Sequence, residues 1–383
     1  MSPTVKARQK LSAARKLVIK IGSKAMSGKG GRLDRAVFRA VAEEVARLAA
    51  AGKSVAIVSS GAILAGRQKL GLVGKKLNMP EKQATAAVGQ NLLMGEWERA
   101  FARFDITTGQ VLVTAEDLCD RARFLNSRNT MEELLRLGVV PVINENDTVA
   151  VEEIRYGDND HISTLVVGLI QADGLIILTD IDGLCAADPS LDPDAPVLHE
   201  VSEANAEVFS CAGESSSGVG SGGMASKIEA ARTVARRGVP TVIVNAKKKN
   251  AIARVMAGER EGTLFVPTGK LLRDHQYWLA FAGEARGAVR VDEGARRAVE
   301  ERGKSLLPSG VTAVAGRFDM GAVLKVEDDA GREIARGLSQ YSSSDLKKIM
   351  GKKTAEIEQA LGEKLYDEVI HRDHLVVTSR IGK

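Results

Sequence analysis

At 383 residues, 44% of them hydrophobic, the chain is long enough for two or three domains and for a substantial core. No apolar run approaches the roughly 20 residues a membrane-spanning helix needs, and Leu165 to Thr179 is broken at Gln171, Ala172 and Asp173, so a soluble protein with no membrane partner is expected. The net charge of +5 belongs to the start of the chain: residues 1–20 hold six Lys/Arg and no acid, residues 21–277 hold 30 against 32, and residues 278–383 hold 18 against 17, so no folded region carries the basic excess of a nucleic-acid binder.

Residues 1–15 read as a basic N-terminal arm that lacks the apolar core of a secretory signal, which implies a cytoplasmic protein. From Lys16 to about Val266, short β-branched runs alternate with helical stretches, the pattern of an α/β sheet covered on both faces. Strands are expected at Leu17–Ile21, Val55–Ser59, Gln110–Thr114, Val139–Asn144, Leu175–Thr179 and Thr241–Val244. Between the first two, Val37, Val41, Val45 and Leu48 recur at helical spacing after the N-cap candidate Asp34, and Gly52 supplies the stop. A domain of residues 16–267 is therefore expected, followed by a linker over 268–285.

Beyond the linker, residues 286–383 read as a small β-rich domain with a C-terminal tail. Its strand candidates are Val289–Asp292, Val311–Val314, Val323–Glu327 and Glu333–Arg336, with Asp328-Asp329-Ala330-Gly331 as a hairpin turn. Cys119, Cys185 and Cys211 are widely spaced, without histidines at zinc spacing, and read as packing residues. His371 and His374 have no further ligands nearby and read as a solvated tail, so no metal-ligating residues are assigned.

Anion-handling signals cluster at strand ends. Lys20-Ile21-Gly22-Ser23 puts a lysine and a glycine at the end of the first strand, which suits a phosphate or an ordinary turn. Ser59-Ser60-Gly61-Ala62 stands where a strand meets a helix, either as an anion site or as a plain N-cap. Gly218, Gly220 and Gly223 satisfy G-x-G-x-x-G in form, yet a Ser-rich loop precedes them and no acid follows at the right distance, so a dinucleotide site is excluded. Gly52-Lys53-Ser54 and Gly303-Lys304-Ser305 lack the earlier glycine of a P-loop. The stretch Ser221-Gly222-Gly223-Met224-Ala225-Ser226-Lys227 still suits a phosphate cradle that delivers a lysine to the first turn of a helix, with a surface loop as the alternative.

The middle of the chain is acidic and amide-rich. Asn144-Glu145-Asn146-Asp147 ends a strand, and Gly157-Asp158-Asn159-Asp160 opens the helix expected over His161–Ile170. Acids at a helix N-terminus would repel an anionic substrate unless lysines and magnesium neutralise them or they hold an amino group; a cap-rich turn is the alternative. Thr179-Asp180-Ile181-Asp182-Gly183 closes another strand, at the end where open α/β sheets bind ligands.

Taken in order, Lys20-x-Gly-Ser, Val58-Ser-Ser-Gly-Ala-Ile, Pro141-Val-Ile-Asn-Glu-Asn-Asp, Gly157-Asp-Asn-Asp, Leu178-Thr-Asp and Gly222-Gly-Met-x-x-Lys resemble the amino-acid kinase family. The resemblance implies a three-layer αβα sandwich around a mainly parallel sheet and an ATP- and Mg2+-dependent phosphorylation of the side-chain carboxylate of L-glutamate to L-glutamyl 5-phosphate. It further implies the first step of proline biosynthesis, feedback inhibition by proline, a reductase that consumes the product, and a homodimer or homotetramer. Matched motif by motif, it makes Lys20 and Lys227 stabilise the transferring phosphoryl group, while Asp160 and Asp158 organise the lysines and the substrate amino group. Ser60, Asp147 and Asn159 would contact glutamate; Lys20, Thr179, Asp180 and Ser221, Gly222, Gly223, Met224, Ala225, Ser226 and Lys227 would line the ATP site.

Kinases for acetylglutamate, aspartate or carbamate are the alternatives within the family, and the carboxylate-rich centre favours a free amine. Arg286 to Ala360, with Val289-Arg-Val-Asp-Glu-Gly, Ser305-Leu-Leu-Pro-Ser-Gly-Val and Gly316-x-Phe-x-x-Gly, resembles a PUA domain. PUA domains elsewhere bind RNA, but balanced charge and few aromatic residues argue here for a structural or regulatory role.

Overall fold

A computed structural model describes residues 3–150, 158–187, 192, 194–202, 223–267, 285–364 and 366–380. Contacts divide the chain into two compact units near residue 271.

The first unit opens with α1 (Pro3–Ser12). The segment read as a basic arm is thus a helix, because Ala7 and Leu11 fall one turn apart and are both buried while Arg8 and Lys10 find partners. Arg8 donates to the His199 carbonyl at 3.1 Å and Lys10 to the Gly238 carbonyl at 2.5 Å. Next come β1 (Lys16–Ile21), α2 (Arg35–Ala50), β2 (Ser54–Ser59), α3 (Ala62–Lys69) and α4 (Met79–Phe101). Asp34 caps α2 through the Ala36 N–H, and Gly52 takes the left-handed conformation (φ 74°) that ends it. Helix α4 starts on a capping box in which Asn78 and Glu81 exchange hydrogen bonds at 2.8 and 2.9 Å.

There follow β3 (Thr108–Val113), α5 (Ala115–Cys119), α6 (Arg121–Arg136), β4 (Val140–Glu145), α7 (Asp158–Leu169), β5 (Gly174–Thr179), β6 (Glu200–Val201), α8 (Met224–Arg236), β7 (Thr241–Asn245), α9 (Ala251–Met256) and β8 (Thr263–Phe265). All six strands expected from sequence form, shifted by two residues or fewer at either end. The two-residue β6 and three-residue β8 are too short to show a period in the sequence and were not foreseen.

These strands make one sheet in the order β3-β4-β2-β1-β5-β7-β8-β6, parallel except where β7 meets β8. Strand β1 lies between β2 and β5, so the chain leaves it toward one edge and returns on its other side. That reversal leaves a crevice at the carboxyl ends of β1 and β5, where ligands sit in open α/β sheets. Burial on both faces makes β1, β2, β5 and β7 nearly continuous apolar runs.

Helices α3 and α4 approach more closely than side chains allow. A Cβ on Gly66 would lie 1.9 Å from the Thr85 carbonyl oxygen, and one on Gly89 would lie 1.8 Å from that of Ala62. The two glycines thereby set α4 against the first residue of α3.

The second unit is a five-stranded sheet in the order β10-β9-β11-β12-β13, built from β9 (Gly287–Val291), β10 (Val311–Gly316), β11 (Val323–Glu327), β12 (Glu333–Leu338) and β13 (Leu375–Val376). Its helices are α10 (Glu293–Glu300), α11 (Ser343–Ile349) and α12 (Ile357–Leu361). The expected hairpin turn joins β11 to β12: Asp328 and Arg332 pair through their backbones at 3.0 Å, with Gly331 at φ 77°. Val289, Val291, Leu324, Val326 and Ile370 are among the residues of a separate core.

Candidate active site

Three sequence-distant charges meet beside the β1/β5 crevice. Lys20, one residue before the end of β1, is 3% exposed, and its Nζ lies 2.5 Å from Asp160 Oδ1. Asp160, the third residue of α7, is 1% exposed. Its Oδ2 is 3.3 Å from Lys227 Nζ, on the first turn of α8, and accepts from Ser226 Oγ at 2.7 Å. One carboxylate is thus shared by two buried ammonium groups, leaving a net positive charge away from water.

The electrostatics follow. Burial alone would push the Asp160 carboxyl upward, but Lys20, Lys227 and the hydrogen bonds from Lys20 and Ser226 outweigh it and hold the acid below the ordinary aspartate range. Burial pushes the Lys227 ammonium down, and repulsion from Lys20 adds to that; attraction to Asp160 and Asp180 opposes them without restoring the ordinary value. Buried like charges of this kind are stabilised by an anion that joins them.

Beside the triad runs a row of amides. Asn159, the residue before Asp160, donates from Nδ2 to Ser60 Oγ at 3.1 Å and to Asn144 Oδ1 at 2.9 Å. Asn144, on β4 and 1% exposed, donates to Gln90 Oε1 at 2.7 Å, and its Oδ1 also accepts the Glu145 N–H at 2.9 Å. Ser60 stands between β2 and α3, followed by Gly61 at φ 109°. One residue earlier, Ser59 Oγ accepts from the buried indole of Trp97 at 2.9 Å. Asp147 is half-buried in the turn after β4, which is closed by the Val149 N–H on the Asn146 carbonyl at 3.1 Å.

Thr179, at the end of β5, is buried and donates to Asp180 Oδ1 at 3.2 Å. The Asp180 turn is pinned from β7, where Asn245 Nδ2 reaches the Asp180 carbonyl at 3.4 Å and Asp182 Oδ1 at 2.8 Å. Lys248 adds contacts to Asp182 at 2.9 Å and to Glu261 at 3.1 Å. The hydrogen bond from Asn245, helped by Lys248 against a smaller burial effect, holds the Asp182 carboxyl below its ordinary range.

Gly223 precedes α8, and Met224, Ala225, Ser226 and Lys227 form its first turn; both Ser226 Oγ and Lys227 Nζ reach back to the Gly223 carbonyl, at 2.8 and 3.3 Å. Ser221, Gly222 and the side chain of Asp158 lie outside the described residues, as does Cys211. The structure therefore joins Lys20, Asp160, Ser226 and Lys227 in one group and Ser60 with Asn159 in an adjoining one. Sequence reasoning missed Gln90, Asn245, Lys248 and Trp97. Gln90 and Trp97 belong to a helix that was not singled out, and Asn245 ends a strand that carried no motif.

Residues 15–245 match the model of the amino acid kinase family, and residues 287–361 match that of the PUA domain. Proteins named glutamate 5-kinase are similar over almost the whole chain. That of Geobacter sp. (strain M21) is 46% identical over 97% of this chain and 99% of its own. Those of Trichlorobacter lovleyi and Moorella thermoacetica are each 48% identical, over 96% and 97% of this chain and 98% of their own. Among solved structures, carbamate kinase from Giardia lamblia bound to AMP-PNP has a TM-score of 0.49 and 18% identity, covering 67% of this chain and 100% of that one.

Proposed function

The chain belongs to the amino acid kinase family and is a kinase with a PUA domain, and we propose that its reaction is transfer of the terminal phosphoryl group of ATP to the side-chain carboxylate of L-glutamate, as the first step of proline biosynthesis. The observation that carries this reading is the buried group in which Lys20 and Lys227 share Asp160. Phosphoryl transfer between two anions needs fixed positive charge at the moving group, and catalysis is mostly positioning and charge stabilisation. The lysines supply that charge from opposite sides of one carboxylate, and Asp160 sets their spacing.

In this reading Thr179, Asp180 and the first turn of α8 receive the nucleotide, while Ser60, Asp147 and Asn159 hold the acceptor. Magnesium fits the site as a counter-ion carried on the nucleotide phosphates: among the described residues no three His, Cys, Asp or Glu side chains gather as a cage, and Mg2+ commonly binds one or two carboxylates plus substrate phosphates. The ion would neutralise phosphate charge during transfer. Asp158 would help to organise the lysines and the substrate amino group.

The product is an acyl phosphate, labile in water, so a reductase that consumes it is the expected functional partner. Inhibition by proline, a cytoplasmic setting and a homodimer or homotetramer complete the proposal, with a structural or regulatory role for the PUA domain. No helix of the described residues is long and apolar enough to cross a membrane.

The test is incubation with ATP, magnesium and hydroxylamine, comparing hydroxamate formed from glutamate, acetylglutamate and aspartate, with and without proline. Glutamate-dependent hydroxamate, lost in Lys20→Ala and Lys227→Ala, is expected. Turnover of another acid and not of glutamate would replace the acceptor assignment.

A further inference from the structure

Gln90 lies on α4, 8% exposed, outside every motif that pointed to the reaction. Its place is set by the glycine beside it, since Gly89 lets α4 press against Ala62 at the start of α3, two residues past Ser60. From there Gln90 Oε1 accepts the Asn144 Nδ2–H at 2.7 Å.

The direction of the amide row is determined by a backbone group. The Glu145 N–H can only donate, so the Asn144 atom that it meets at 2.9 Å is the carbonyl oxygen. The other end of that amide, the NH2, therefore faces Gln90, which must offer oxygen. Asn159 in turn must direct its NH2 at Asn144 Oδ1, and the same NH2 donates to Ser60. What remains of Asn159 is Oδ1, a buried acceptor with no hydrogen-bond partner among the described residues. Gln90 Nε2 is likewise a buried donor without a partner among them, an unfavourable arrangement that a purely structural glutamine would not need.

We propose that Gln90 is a positioning residue for the acceptor: by holding Asn144 in the orientation that the Glu145 N–H dictates, it keeps the Asn159 amide turned so that its carbonyl oxygen is the atom offered to a substrate ammonium group. The inference rests on the assignment of glutamate as acceptor. An oxygen acceptor favours a free amine and gives nothing to a diacid without one, so Gln90 governs selectivity without touching substrate.

The experiment compares kcat/KM for L-glutamate and for glutarate, the same diacid lacking the amine, in wild type, Gln90→Met and Gln90→Glu. Wild-type turnover of glutamate is established first, and its absence would count against the acceptor assignment. Gln90→Met removes the oxygen at similar volume and should reduce the preference for glutamate about tenfold, with KM for ATP within about twofold. Gln90→Glu restores an oxygen to Asn144 and should recover most of the preference. A Gln90→Met enzyme that loses both diacids equally, or neither, overturns the proposal. Should that variant not fold, Gln90→Ala is read in the same way. A crystal structure of Gln90→Met or Gln90→Ala in which Asn144 and Asn159 keep their positions also overturns it, whatever the acceptor proves to be.

Discussion

The Trp97 indole N–H donates to Ser59 Oγ at 2.9 Å, so the residue before Ser60 is tied to the largest fully buried side chain. The Ser59 hydroxyl passes the bond on to the Ser60 carbonyl at 3.1 Å, which braces the turn into α3. Trp97 itself is held by Phe38 and Phe101, at centroid distances of 4.7 and 5.9 Å. Trp97→Phe keeps an aromatic ring between Phe38 and Phe101 but removes the donor together with the rest of the indole, leaving a small cavity. Equilibrium unfolding should show a loss of about 1–3 kcal/mol from the hydrogen bond and the cavity together, and KM for glutamate should rise while KM for ATP holds.

Asp160→Asn should be far more damaging, because it leaves two buried ammonium groups without the carboxylate between them. A stability loss of about 3–5 kcal/mol is expected from an uncompensated buried charge, with kcat reduced about 100-fold or more. The pH dependence has a definite sign. Asp160 is a stronger acid folded than unfolded, so its contribution is present above the unfolded pKa and is lost as pH falls through that value toward the lower folded one. Urea midpoints measured down the acid range should fall less steeply in the variant than in wild type.

Lys227 predicts an alkaline limb. Burial and the neighbouring Lys20 lower its pKa, and only its protonated form can stabilise a phosphoryl group. The kcat/KM for ATP, which reports the free enzyme, should therefore decline with rising pH before an ordinary lysine would deprotonate, at about 10.4. A profile flat to that point would remove Lys227 from the reaction.

In the proposed function Asn245 acts on the nucleotide side alone. Its amide holds the Asp180 carbonyl and the Asp182 carboxylate together at the end of β5. Asn245→Ala should raise KM for ATP about tenfold, the scale seen when a group that orients a binding residue is removed, and leave KM for glutamate unchanged. Equal effects on both would assign Asn245 to general stability.

The legible parts of the fold were those with a local cause. Leu17–Ile21 and Leu175–Thr179 read as strands because burial on both faces writes an uninterrupted apolar run, and Asp34 and Gly52 bracket α2 by their own capping chemistry. Helix α1 was hidden because only Ala7 and Leu11 mark its buried side amid basic residues. Strands β6 and β8 were hidden because two or three residues carry no period.

By itself the sequence determined which chemical groups stand at which strand and helix ends: Lys20 on β1, Ser60 before α3, Asp160 on α7 and Lys227 on α8. Turn chemistry and period act over a few residues, so they can be read locally. Only the tertiary structure decided that Lys20 and Lys227 share one carboxylate, and that a glutamine on α4 accepts from the Asn144 amide, which in turn accepts from Asn159. Those relationships depend on strand order and on how closely two helices approach at Gly66 and Gly89. They arise from packing between residues tens to hundreds of positions apart, which no local pattern encodes.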